Sequence, residues 1–294
     1  MFTIENEYLK INITENGGSL TSIFDKETND ELLYQPDERS WKGQDVVIFP
    51  FVARLKNGSY KVDGIDYIMK THGLIRYNKV SLYKISGDNL TLSFDSNDDT
   101  LKEYPYRFHF EITYKLEGHV LSIRYKITNT DTKEIYYSFG GHPAIKASVN
   151  ELVDGVEFDN TKIEFEKSME INRYYLDETG SLITGKSINK IPREVFIKKK
   201  TIADAKTLIF DAASINNVLL LTNNHVFKFD ISEAEVLAFW TDPHYGDYLC
   251  VEPWWGIPDI INPNPELKDK PLIHTLKPSE SEEKGYSIVI SKML

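Results

Sequence analysis

Four segments of this 294-residue sequence set polar groups among apolar or glycine neighbours, where a β-rich chain would not ordinarily place them. Arg54 directly follows the run VVIFPFVA. That pattern puts a guanidinium at the end of a buried strand, where it needs an anionic or multiply hydrogen-bonding partner. His72 lies in KTHGLIRY, where Gly73 permits close backbone approach and Arg76 adds a second cation. His142 lies in FGGHPAI, between a double glycine and a proline, where the chain must turn sharply. Glu252 lies in YLCVEPWW. An ionised carboxylate is costly to bury in such a setting and its pKa rises, which suits a general base. Trp240, Trp254 and Trp255 cluster around Glu252 in sequence, and flat aromatic faces are a common way to hold the C–H-rich surface of a sugar. Each residue also has a plainer reading: a structural ion pair between Arg54 and Glu252, histidines that shape turns, tryptophans that fill a core. Cys250 is most simply a small buried hydrophobe.

What the sequence lacks narrows the chemistry. It contains no G-x-x-x-x-G-K, G-x-G-x-x-G, G-x-S-x-G or H-E-x-x-H pattern, which disfavours phosphate loops, dinucleotide folds, serine hydrolases and zincins. The seven histidines show no close ligand spacing, and one cysteine cannot build a structural zinc site, so neither metal nor cofactor is expected. DSNDDT from Asp95 has the look of a calcium loop, but Thr100 stands where that loop needs glycine and Tyr106 where it needs glutamate; a turn is expected instead. With 34 Lys plus Arg against 45 Asp plus Glu and a net charge of −11, no basic stripe offers itself to nucleic acid. The N-terminus lacks a basic segment followed by an apolar one, and the longest apolar patches, such as VLLL at 218–221, are strand-sized. A cytoplasmic protein with no membrane partner is expected, as a monomer or homodimer.

The elements that must position these residues are strands. β-Branched and aromatic residues alternate with polar ones in segment after segment, and the turns agree. EYLKINITENGGSLTSIFD reads as strand, Gly-Gly turn, strand. SYKVDGIDYIM has Asp-Gly at a hairpin tip, and KISGDNLTLSFD and FHFEITYKLEGHVLSIRYKI repeat the pattern. No segment holds a helical apolar period over several turns. Many short strands in a chain of this length predict an all-β fold, a large antiparallel sandwich of two sheets, spanning 1–294 as one domain. The polar stretch 168–200 reads as a long loop, and the lysines at 198–200 as a solvated surface run.

The whole chain resembles the aldose 1-epimerase (galactose mutarotase-like) family, whose wider relatives include hexose-6-phosphate 1-epimerases. The resemblance is carried, in order, by GGSLTSIFD, PFVARLKNGSYKVDGIDY, HGLIR, GGHPAI and CVEPWWG. HGLIR and the C-E-P-W run look closest to the bacterial LacX-like subgroup. It implies a galactose mutarotase-like supersandwich, with His142 as general acid, Glu252 as general base, and His72 orienting the sugar. Arg54 is implied as a substrate hydrogen-bonder, and Asp211, in LIFDAASI, as a sugar-binding aspartate. Two departures bear on sugar specificity: Ala53 stands where the family usually has glycine, and HGLIR replaces an H-G-G form.

The implied reaction interconverts the α and β anomers of a hexose. A base takes the proton of the C1 hydroxyl while an acid protonates the ring oxygen, the ring opens, and it recloses on the other face with the roles reversed. A phosphorylated hexose would call on Arg54, Arg76 and Lys56 as cations. A non-catalytic sugar-binding sandwich would keep the aromatics and the arginine but has no need of His142 and Glu252 together. A glycosidase would need a second carboxylate partnering Glu252 at about 5 to 9.5 Å, and none stands in a comparable motif.

Overall fold

The structure, a computed structural model, describes residues 1–293. Alternating sequence becomes antiparallel pairing wherever turn residues close a hairpin. Gly17 and Gly18 join Leu9–Ile13 to Leu20–Asp25, and Asp63-Gly64 joins Ser59–Val62 to Ile65–Ile68. Gly87-Asp88 joins Ser81–Ser86 to Asn89–Asp95, and Gly118-His119 joins Phe108–Glu117 to Val120–Asn129. All four hairpins are those that the turn chemistry predicts.

Two large antiparallel sheets form the sandwich. The nine-stranded sheet runs Glu194–Phe196, Lys162–Phe165, Asn217–Leu221, His225–Asp230, Ser281–Lys292, Val120–Asn129, Phe108–Glu117, Asn89–Asp95, Ser81–Ser86 from edge to edge. The seven-stranded sheet runs Phe139–Gly140, Tyr248–Trp255, Val236–Trp240, Leu208–Asp211, Met169–Leu176, Ile183–Ile191, and Ala144–Lys146 also pairs with Tyr248–Trp255. Strict alternation on Phe108–Glu117 buries Phe108, Phe110, Ile112, Tyr114 and Leu116, and Val120–Asn129 buries Leu121, Ile123, Tyr125 and Ile127. These meet the inner face of the other sheet, where Tyr125 lies edge-on to Trp255 at 6.1 Å between ring centroids and Trp255 stacks on Phe139 at 4.8 Å. The principal core extends from Ile4 to Ile290. The helices are short, α1 (Thr100–Glu103) and α2 (Lys199–Ala205), and no helix among the described residues is long and apolar enough to cross a membrane.

Residues 168–200 depart from the loop expected of them. Met169–Leu176 and Ile183–Ile191 pair as a hairpin at the edge of the seven-stranded sheet, turned by Asp177, whose carboxylate accepts the amides of Ser181 and Leu182. Most of Ile183–Ile191 is exposed, so no apolar alternation marks it as a strand. The lysine run also divides: Lys198 and Lys200 are exposed, whereas Lys199 is buried and its ammonium donates to the carbonyls of Asp242 (3.0 Å) and Gly246. Burial draws the Lys199 pKa down to about 8, against the pull of Asp242 and Glu157.

Candidate active site

Tyr248–Trp255 is buried along its whole length. Successive side chains of a strand point to opposite faces. Leu249, Val251 and Trp255 join the main core, and Tyr248, Cys250, Glu252 and Trp254 face the other way. Ala238 stands opposite Glu252 in the register, so a small neighbour leaves room beside the carboxylate. Phe139–Gly140 pairs with Trp255 and Trp254, and Ala144 with Cys250, so the intervening His142 must project opposite Glu252. The double glycine makes this approach possible. A Cβ on Gly140 would sit 2.8 Å from the Pro253 carbonyl oxygen, and one on Gly141 2.6 Å from the Tyr286 hydroxyl.

His142 Nε2 lies 3.1 Å from Glu252 Oε2 on the floor of a cavity of about 1150 Å³. Neither Glu252 oxygen nor His142 Nδ1 has a hydrogen-bond partner. An unsatisfied buried polar group costs about 1–3 kcal/mol, so the floor is poised to take a polar ligand. Burial raises Glu252 well above the carboxylate range, opposed by the nearby Trp254 indole N–H, which finds no aligned acceptor, and reinforced by the charge of Asp45. Burial lowers His142 to about 3. Burial therefore favours a proton on Glu252 over one on His142.

His72 closes one side, its ring edge-on to His142 at 5.4 Å. Its φ of 64° is a left-handed value that few non-glycine residues adopt, and Ala53 has the same character at 52°. The two strained residues hold each other: His72 N–H donates to the Ala53 carbonyl at 2.8 Å, and Ala53 N–H donates to His72 Nδ1 at 3.2 Å. Burial keeps the His72 ring neutral, with His142, Arg76 and Arg54 adding to the effect. Since Nδ1 accepts, the proton sits on Nε2. Gly73, at φ 78°, lies against the Phe49 carbonyl so closely that no side chain fits. Glycine is the relaxed residue for a φ like that of Ala53, so Ala53→Gly should raise stability by up to about 1 kcal/mol, read as a higher urea midpoint with unchanged m-value.

Arg54 and Arg76 line the same cavity. Arg54 does not end a buried strand: between 46 and 53 only Ile48 and Phe49 make isolated bridges, the chain bends at Pro50, Val52 and Ala53, and Arg54 is exposed at the rim, 3.4 Å from Ser181 Oγ. Neither arginine meets a carboxylate within 4.0 Å among the described residues. Asp211 stands apart from the cavity: as the last residue of its strand it accepts the Ala213 amide at 3.0 Å. Two residues escape a reading by motif. Trp41, on an irregular segment, packs 5.1 Å from the His142 ring and 5.4 Å from Trp240, so these two indoles wall the end of the cavity beside His142. Asp45 is buried beside the Leu20 amide, at 2.9 Å, and near the His142 backbone, and burial lifts it to about 6. Trp254 joins the cavity lining, whereas Trp255 belongs to the core. His142, Cys250 and Glu252 bring ligand atoms within 4.8 Å of one another, and they are the residues that could hold a metal. Burial keeps the Cys250 thiol protonated.

This fold and cavity belong to the isomerases: the chain is a member of the aldose 1-epimerase family, matched over residues 1–288. Protein LacX of Lactococcus lactis subsp. lactis, in its chromosomal and plasmid forms, is 27% identical over 98% of both chains. A galactose mutarotase-like protein from Lactobacillus casei superposes with a TM-score of 0.91 at 25% identity, covering 99% of this chain and 100% of that one. A galactose mutarotase related enzyme from Lactobacillus acidophilus gives the same score and identity over 99% and 97%.

Proposed function

We propose that the protein interconverts the α and β anomers of a hexose by ring opening and closure, with Glu252 as base and His142 as acid. The observation that carries this reading is the 3.1 Å approach of His142 Nε2 to Glu252 Oε2, two buried groups whose hydrogen-bonding capacity the protein leaves unfilled. With sugar bound, the proton of the pair passes from Glu252 to His142; Glu252 then takes the O1 proton while His142 gives its proton to the ring oxygen, so the C1–O5 bond breaks and C1 becomes an aldehyde. The pair is then left as neutral acid and neutral imidazole, the distribution that burial favours. Rotation about C1–C2 presents the other carbonyl face, and the two transfers run backwards. His72 Nε2–H and Arg54 are hydrogen-bond donors for ring hydroxyls, and Trp41 and Trp240 offer faces to the sugar's C–H surface.

Saturation-transfer NMR of anomer exchange with glucose, galactose and their 6-phosphates tests the reading. Acceleration of the neutral sugars is expected, and acceleration confined to the phosphates would replace it. That second reading, a hexose-6-phosphate 1-epimerase, is favoured by one observation: Arg54 and Arg76 lack carboxylate partners in a cavity that Lys200 and Lys206 also line.

The pKa directions set a pH dependence. His142 gains a second proton for the pair only as pH falls toward about 3, and Glu252, raised by burial, gives up its proton only well above the ordinary carboxylate range. The division of a single proton between the two groups does not change with pH, so kcat/KM should be level wherever the pair carries one proton, from about pH 5 to 8. A limb near 6.5, the ordinary histidine value, would contradict it. Asp45→Asn identifies any shallow step near 6 that comes from Asp45.

A further inference from the structure

Arg54 and His72 stand on a stretch of backbone with four left-handed non-glycine residues, Ala53, Asn57, Asp63 and His72, which persists only where the surroundings over-determine it. The surroundings converge on one residue, Asp259, through both its main chain and its carboxylate. Asp259 Oδ2 accepts the Lys56 amide at 3.0 Å, and the Asp259 amide donates to the Arg54 carbonyl at 3.1 Å. The Asp259 carbonyl accepts the Ile183 amide at 2.8 Å, tying in the edge hairpin beside Ser181. Lys270 Nζ donates to both Asp259 oxygens, at 2.9 and 2.8 Å, and both side chains are almost wholly buried, 6% and 1% exposed. Lys270 is itself fixed by its backbone N–H, which donates to the Leu267 carbonyl at 3.2 Å.

We propose that the buried Asp259–Lys270 ion pair is the positioning device of the sugar-binding rim: it holds Arg54 and, through Ala53, the tautomer and aim of His72. This rests on the reading of Arg54 and His72 as sugar-binding residues. The ammonium fixes the carboxylate, the carboxylate fixes Lys56, and the adjoining amide fixes Arg54. Ala53 then presents its N–H to His72 Nδ1. Neither Asp259 nor Lys270 lines the sugar cavity, so an effect on sugar handling must pass through the backbone they hold.

Removing one partner strands a buried charge and endangers folding, whereas neutralising both leaves none. The test therefore uses Asp259→Asn/Lys270→Met, with Asp25→Asn as control. Asp25 pairs with buried His225 at 3.2 Å, and neither residue lines the sugar cavity. The double variant should raise KM for anomer exchange about tenfold or more while kcat stays within about threefold. The control should lower the melting temperature and leave KM unchanged. Independently of activity, ¹⁵N-NMR of the His72 ring should show a fixed Nε2–H tautomer in the native protein and an averaged one in the double variant. A lowered melting temperature with unchanged KM and unchanged His72 tautomer would reduce the pair to a purely structural role. Should no sugar show exchange with native protein, the functional reading falls, and the tautomer comparison still decides the positioning.

Discussion

Glu252→Gln abolishes anomer exchange to about one part in 10³ or less, while sugar binding stays within about tenfold of native. The amide keeps the shape of a side chain that is 1% exposed and that burial drives toward its neutral form, so the fold has little to lose. What disappears is the ability to take the O1 proton and return it. Saturation transfer gives the exchange rate and isothermal titration the affinity, on the same sample. Exchange within tenfold of native would assign the base elsewhere.

His142→Gln should cost about 10²–10⁴ in kcat by removing the other half of the proton exchange. The two effects should not add. Because the groups share one proton across 3.1 Å, the double variant Glu252→Gln/His142→Gln should be no slower than about threefold below the worse single variant. Multiplied losses would mean that the residues act on separate steps, contrary to a concerted pair.

Where local chemistry decides structure, the sequence was a good guide. Gly-Gly, Asp-Gly and Gly-containing turns close hairpins by their own backbone preferences, and all four appear where they are expected. The family resemblance pointed to His72, Arg54, His142 and Glu252, and these line one cavity together with Arg76 of the same HGLIR segment. Where structure depends on partners distant in sequence, the signal fades. Ile183–Ile191 is a strand because Met169–Leu176 pairs with it, not because it has a face to bury. Lys199 is drawn inward by the carbonyls of Asp242 and Gly246, more than 40 residues away, while its identical neighbours remain in solvent. Trp41 and Asp45 lie on irregular chain with no period to betray them, and Asp211, matched by a short motif, is turned aside to cap its own strand end.

The floor and one flank of the cavity differ in how they are built. The floor is Tyr248–Trp255, hydrogen-bonded on both sides and buried throughout, whereas the flank includes a lone hairpin, Val149–Leu152 with Gly155–Phe158, whose tip residue Val153 is fully exposed. In deuterated solvent the floor amides should be among the last in the molecule to exchange, and those of the hairpin among the first. The acid and base would then belong to the slowest-opening part of the protein and the doorway to the fastest, so sugar could enter and leave without disturbing the alignment of the pair.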